Sequence, residues 1–124
     1  MDKKKILVID DEHDLVEMLK LRLEANGYDV LTAFNGEEGL EVAKEANPDA
    51  ILLDIMMPKK DGYTVLKDLK ANENLKKTPV IIITAKPKMK DLFEMEGVKY
   101  YIVKPIDDKE LLGKIEEVLG EKNG

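Results

Sequence analysis

Four short, almost wholly apolar runs recur along this chain: ILVI (6–9), AILL (50–53), VIII (80–83) and YIV (101–103). Runs of that length, rich in β-branched residues, suit strands covered on both faces, as in the middle of a parallel sheet. A fifth run, VLTAF (30–34), is less uniform and suits an edge strand. Parallel strands need crossover connections, and the intervening segments carry helical spacing. Leu15, Leu19 and Leu23 fall four apart before an Asn26-Gly27 stop. Asn35, with Glu38 three residues on, caps a second helix bearing Leu40 and Ala43, which Asn47-Pro48 ends. Val65, Leu66 and Leu69 mark a third, with Asp61-Gly62 as its cap or turn. Asp107 and Glu110 open the last helix, which carries Leu111, Leu112, Ile115, Val118 and Leu119 and is expected to close at Gly120. Between them, Lys86 to Gly97 offers only Met89, Leu92, Phe93 and Met95 to bury and predicts a short fourth helix. Strand and helix thus alternate five times, the pattern of a doubly wound α/β sheet.

With 124 residues the chain makes one domain, expected over residues 1–120 with a frayed tail at 121–124. Its net charge of −6 argues against nonspecific binding to nucleic acid or anionic lipid. The absence of cysteine removes disulfide, thiolate and zinc-thiolate chemistry. No apolar run is long enough to span a bilayer, and the opening MDKKKILVID lacks a signal-peptide cleavage site, so a cytoplasmic location is expected. Nineteen lysines against one arginine, with no serine or glutamine, fit a thermophilic source and a base-composition bias equally well.

The chemistry sits where the strands stop. In open α/β sheets ligands bind beyond the carboxyl ends of the strands. Asp10 and Asp11 follow the first strand, Asp54 ends the third, Thr84 the fourth and Lys104 the fifth. One polar residue at a strand end is ordinarily a turn or cap, but five from four strands, converging on one edge, make a site. Two carboxylates about 4 Å apart repel by roughly 4 kcal/mol at an effective dielectric near 20. Three need a cation or a raised pKa. Lys104 supplies one charge, and an all-oxygen donor set favours magnesium, with manganese as the alternative. Such a site is fitted to phosphoryl transfer, with a carboxylate attacking phosphorus and a hydroxyl holding a phosphoryl oxygen.

IDDE (9–12), LLDIMMPKKDG (52–62), ITA (83–85) and YIVKP (101–105) together resemble the receiver domain of a two-component response regulator, over essentially the whole chain. The resemblance is to the single-domain, chemotaxis-regulator type. It implies a flavodoxin-like five-stranded parallel sheet in the order 2-1-3-4-5, with helices on both faces. It makes Asp54 the phosphoacceptor and places magnesium on Asp11, Asp54 and the Met56 carbonyl, with Asp10 reaching the ion through water. Lys104 would pair with Asp54 and then with the phosphoryl group, across a cis Lys104-Pro105 bond. Thr84 would follow the phosphate, and Tyr101 would be the aromatic switch. The implied phosphodonor is a sensor histidine kinase or a histidine phosphotransfer protein. The implied output is a downstream protein, or a phosphorylation-dependent homodimer, on the face of the fourth helix, fifth strand and fifth helix, where Lys88, Lys90, Lys99 and Tyr100 lie. No enzyme in the ordinary sense is implied, beyond self-phosphorylation from small phosphodonors and slow autodephosphorylation. Val98 departs from the family's usual alanine and is expected to crowd Tyr101; Met56 and Lys86 occupy positions that tune the phosphoryl lifetime.

Other readings fit less well. A haloacid-dehalogenase-type phosphatase wants a second acid where Met56 stands, and a flavodoxin-type carrier wants a hydroxyl-rich loop where DDEHD stands. The remaining alternative is a pseudo-receiver, a protein-interaction module that is never phosphorylated. His13 is expected to be a solvated residue of the first helical turn, and Met56 and Met57 to be packing and backbone elements.

Overall fold

The computed structural model describes residues 3–57, 61–85, 98 and 100–123. Five strands, β1 (Lys5–Ile9), β2 (Asp29–Ala33), β3 (Ala50–Asp54), β4 (Val80–Thr84) and β5 (Tyr100–Val103), form one sheet in the order β2-β1-β3-β4-β5. Every pairing is parallel. Helices α1 (His13–Ala25), α2 (Gly36–Ala46), α3 (Gly62–Ala71) and the C-terminal α4 (Asp108–Asn123) supply the crossovers and the closing segment among the described residues. The fourth helix expected over 86–97, with Lys86, Lys88 and Lys90, lies outside those residues, as does Lys99.

Strand alternation sorts the core into two layers. Leu7, Ile9, Leu53 and Ile82 meet Leu40 of α2 and Val65, Leu66 and Leu69 of α3 on one face. Ile6, Val8, Leu52 and Ile81 meet Val16, Leu19 and Leu23 of α1 and Leu111, Ile115 and Val118 of α4 on the other. All of β1 beyond Lys5, and all of β3 and β4, are buried. That accounts for runs with no polar alternation: these strands have no solvent face.

The helix starts follow local chemistry. Asn35 accepts from the Glu38 N–H at 2.9 Å, Asp61 from the Thr64 N–H at 2.8 Å and Asp107 from the Glu110 N–H at 3.0 Å. Each side chain satisfies a first-turn donor that has no partner within its helix. Asn47 ends α2 in the left-handed region at φ 48°.

Two expectations are corrected. The run at 101–103 is not buried on both faces: β5 closes the sheet, only Ile102 is buried, and Val103 is 40% exposed. As the terminal strand, β5 has one side with no paired strand, which leaves its side chains more open to solvent than those of the inner strands. Nor does Gly120 close the last helix, which runs on to Asn123. Buried Val118 and Leu119 hold that turn against the core, outweighing the roughly 1 kcal/mol a helical glycine costs. No helix among the described residues is long and apolar enough to cross a membrane.

Candidate functional site

Parallel strands with matched register end together, so their terminal side chains share one rim. Asp10 follows β1, with its N–H donated to the Ala33 carbonyl at 3.1 Å. Asp54 is the last residue of β3, opposite Ile83, and Thr84 is the last of β4, opposite Val103. Lys104 follows β5, its N–H donated to the Thr84 carbonyl at 2.8 Å, and precedes a cis peptide bond to Pro105. The core hydrophobes directly behind these residues fix the rim.

The rim brings the acids together as expected. Carboxylate oxygens of Asp10, Asp11 and Asp54 lie within 4.8 Å of one another. Asp10 and Asp54 are buried, the latter 2% exposed, whereas Asp11 is half-buried. Lys104 Nζ stands 3.0 Å from Asp10 Oδ2, 3.4 Å from Glu12 Oε1 and 3.7 Å from Asp54 Oδ2. Its nearest partner is therefore Asp10, with Asp54 the most distant of the three. Asp54 Oδ1 accepts the Met56 N–H at 3.1 Å, and Asp10 Oδ1 accepts the Glu12 N–H at 2.9 Å.

The electrostatics follow. Burial and then the neighbouring Asp10 charge push the Asp54 carboxyl up to about 7, against the downward pull of the Met56 N–H and Lys104. Burial alone would draw the Lys104 ammonium down, but Asp10, Asp54 and Glu12 outweigh it and leave Lys104 above its ordinary value. Among the described residues, three carboxylates thus share one ammonium, with that of Asp11 close to two of them. The donors are all oxygen, with neither histidine nor cysteine among them, and the charge excess is negative. Both properties fit a hard divalent cation, and the Asp10, Asp11 and Asp54 oxygens are close enough together to share one.

The close approach of α3 sets the position of Asp54. A Cβ at Gly62 would lie 2.5 Å from the Asp54 carbonyl oxygen and 2.6 Å from the Ile55 Cα. Both are backbone atoms with no room to move, so only glycine allows this contact. The Gly62 N–H also donates to the Ile55 carbonyl at 3.2 Å, tying the start of α3 to the end of β3.

The other named residues sit around this centre. Thr84 is fully buried. Tyr101 is half-buried, packs against the same core layer as the buried Val98, and has its hydroxyl shielded from water. Met56 is 49% exposed while Met57 is buried. His13 is exposed, as expected, but its ring stacks on Phe34 with centroids 3.9 Å apart. Glu12 was given no role by the sequence, although it completes the IDDE run. Its partner Lys104 lies near the other end of the chain, and only the sheet order brings the two together.

Comparison with known proteins agrees with this geometry. Residues 6–116 match the family described as the response regulator receiver domain. The alkaline phosphatase synthesis transcriptional regulatory protein PhoP of Bacillus subtilis is 41% identical over 118 residues, covering 94% of this chain and 48% of PhoP. The response regulator ArlR of Staphylococcus saprophyticus is 40% identical over 119 residues, covering 93% of this chain and 52% of ArlR. The chain therefore spans about half the length of the curated relatives it matches. Among solved structures, the chemotaxis protein CheY4 of Vibrio cholerae superposes with a TM-score of 0.88 at 30% identity, covering 94% of this chain and 99% of CheY4. The response regulator TrrA of Thermotoga maritima, solved in complex with Mg(2+)-BeF, gives 0.84 at 34% identity, covering 93% and 98%. A match running from β1 into the C-terminal helix, on a sheet of this order, leaves one conclusion: the chain belongs to the receiver domains of two-component response regulators.

Proposed function

We propose that this receiver takes a phosphoryl group on Asp54 from a phosphohistidine of a sensor kinase or a phosphotransfer protein. One observation carries the reading. A buried carboxylate ends the central strand, tied to the Met56 N–H and lying 3.7 Å from a lysine it shares with two other acids. A purely structural acid would have no reason to be held, nearly desolvated, among like charges.

In the reaction, an Asp54 carboxylate oxygen attacks phosphorus in line. The O–P bond forms as the P–N bond breaks, and the electron pair returns to the imidazole, which takes a proton from water. Lys104 neutralises the phosphoryl oxygens as they arrive. Magnesium held by Asp11, Asp54 and the Met56 carbonyl, with Asp10 contributing through water, would supply the remaining compensating charge. The Thr84 hydroxyl, on the strand beside Asp54, accepts the role of following the phosphoryl oxygens, and Tyr101, on the next strand, that of reporting the change. The output is a shift between two pre-existing conformations, read by a downstream protein or a second copy on the face that carries β5 and the C-terminal helix. The exposure of Val103 and the partial exposure of Tyr100 on β5 support that choice of face.

The test is intact mass after incubation with magnesium and acetyl phosphate, beside Asp54→Asn. A phosphate-sized gain in the native chain alone, labile to hydroxylamine, is expected. A native chain that gains nothing, from acetyl phosphate or from phosphohistidine donors, would instead be a pseudo-receiver that acts through protein contact.

A further inference from the structure

One carboxylate at the mouth of the site has no part in the reaction above. Glu12 occupies the N-cap of α1, where a side-chain oxygen would ordinarily accept a first-turn N–H. It makes no such bond, although its backbone, at φ −84° and ψ 99°, is extended as a cap requires. The carboxylate turns instead toward Lys104, 3.4 Å from Nζ.

An ammonium offers three N–H donors, and three carboxylates surround this one. They differ in their access to water. Asp10 and Asp54 are buried, whereas the Glu12 side chain is 59% exposed. A phosphoryl group arriving on Asp54 brings oxygens that compete for the same donors, so one partner must release Lys104. Releasing Asp10 would leave a buried charge unpaired, but a released Glu12 is simply hydrated. Glu12 and Lys104 also both line a recess of about 500 Å³, with Leu15, Met18 and Ile106 among its walls.

We propose that Glu12 is a positioning residue, a solvent-side tether that holds Lys104 at the mouth of the unphosphorylated site and yields it to the incoming phosphoryl group. The inference rests on phosphoryl transfer to Asp54. The tether keeps the lysine's charge partly engaged in the resting state, so loosening it speeds the first step.

The experiment measures the initial rate of phosphate uptake from acetyl phosphate with magnesium, by intact mass, in the full chain and three variants. Glu12→Gln removes both charge and pairing. Glu12→Asp keeps the charge but is one methylene too short for the contact. Asp14→Asn removes a neighbouring exposed charge that no ion pair links to Lys104. Exposed ion pairs are weak, so Glu12→Gln is expected to raise the rate about two- to fivefold, Glu12→Asp about twofold, and Asp14→Asn less than about 1.5-fold. Unchanged or slower uptake in both Glu12 variants overturns the tether. So does acceleration by Glu12→Gln that Asp14→Asn matches while Glu12→Asp behaves as the native chain, because that is an effect of net charge alone. If no chain takes up phosphate, native included, the phosphoacceptor reading falls and this inference with it. Failure of the tether alone leaves the native chain labelled.

Discussion

Replacing Asp54 with asparagine should stabilise the metal-free protein, and by an amount that depends on pH. The Asp54 carboxyl titrates near 7 in the folded chain, against an ordinary value of 3.8, because burial and Asp10 oppose its charge. An acid displaced that far carries about 4 kcal/mol of unfavourable free energy once fully ionised. Asparagine keeps the shape and an acceptor for the Met56 N–H but buries an amide group that needs acceptors of its own, so about half of that, roughly 2 kcal/mol, should be recovered. Between the ordinary and the raised pKa the native state binds more protons than the unfolded chain. Native stability therefore falls as pH rises through that window, and the asparagine variant lacks this contribution. Urea unfolding with EDTA present should show the variant's midpoint about 1 M higher at pH 8, with the gap nearly closed at pH 5. Equal midpoints at pH 8 would refute the reasoning, as would a gap of the same size at both pH values.

Magnesium should reverse that ranking, raising native stability by about 2.7 kcal/mol at a hundred times its dissociation constant, with a much smaller gain in Asp11→Asn by thermal unfolding. Gly62→Ala should destabilise by more than about 2 kcal/mol in urea, because its Cβ meets backbone rather than a yielding side chain, and should slow phosphate uptake as Asp54 is displaced. Asp61→Ala removes only the α3 cap and should cost about 1 kcal/mol by the same measurement.

Much of this molecule was legible because its central strands have no polar face and its site lies at their ends. An unbroken apolar run followed by an aspartate is readable without knowing which strands are neighbours. Helix starts at Asn35, Asp61 and Asp107 were legible for a similar reason: each cap acts within four residues. The misreadings share the opposite property. Val103 looks like core until β5 proves to be an edge, and edge status belongs to the sheet order, not to the run. Gly120 looks like a stop until Val118 and Leu119 are seen to hold the final turn from below. Glu12 and Lys104, like His13 and Phe34, are pairs made by tertiary structure, with no spacing to announce them.

The contact of Gly62 with the Asp54 backbone has a practical consequence for optical work. The chain contains no tryptophan, so its near-ultraviolet emission comes from its four tyrosines. Tyr63 is the next residue after Gly62, half-buried, and it lines the same recess as Met56 and Asp61. A tryptophan placed there would be the chain's one indole, one peptide bond from the atom pair that fixes Asp54. Any change in the seating of α3 against β3 would alter its surroundings directly, and ion binding and phosphate uptake could then be followed as separate signals in real time from a single side chain.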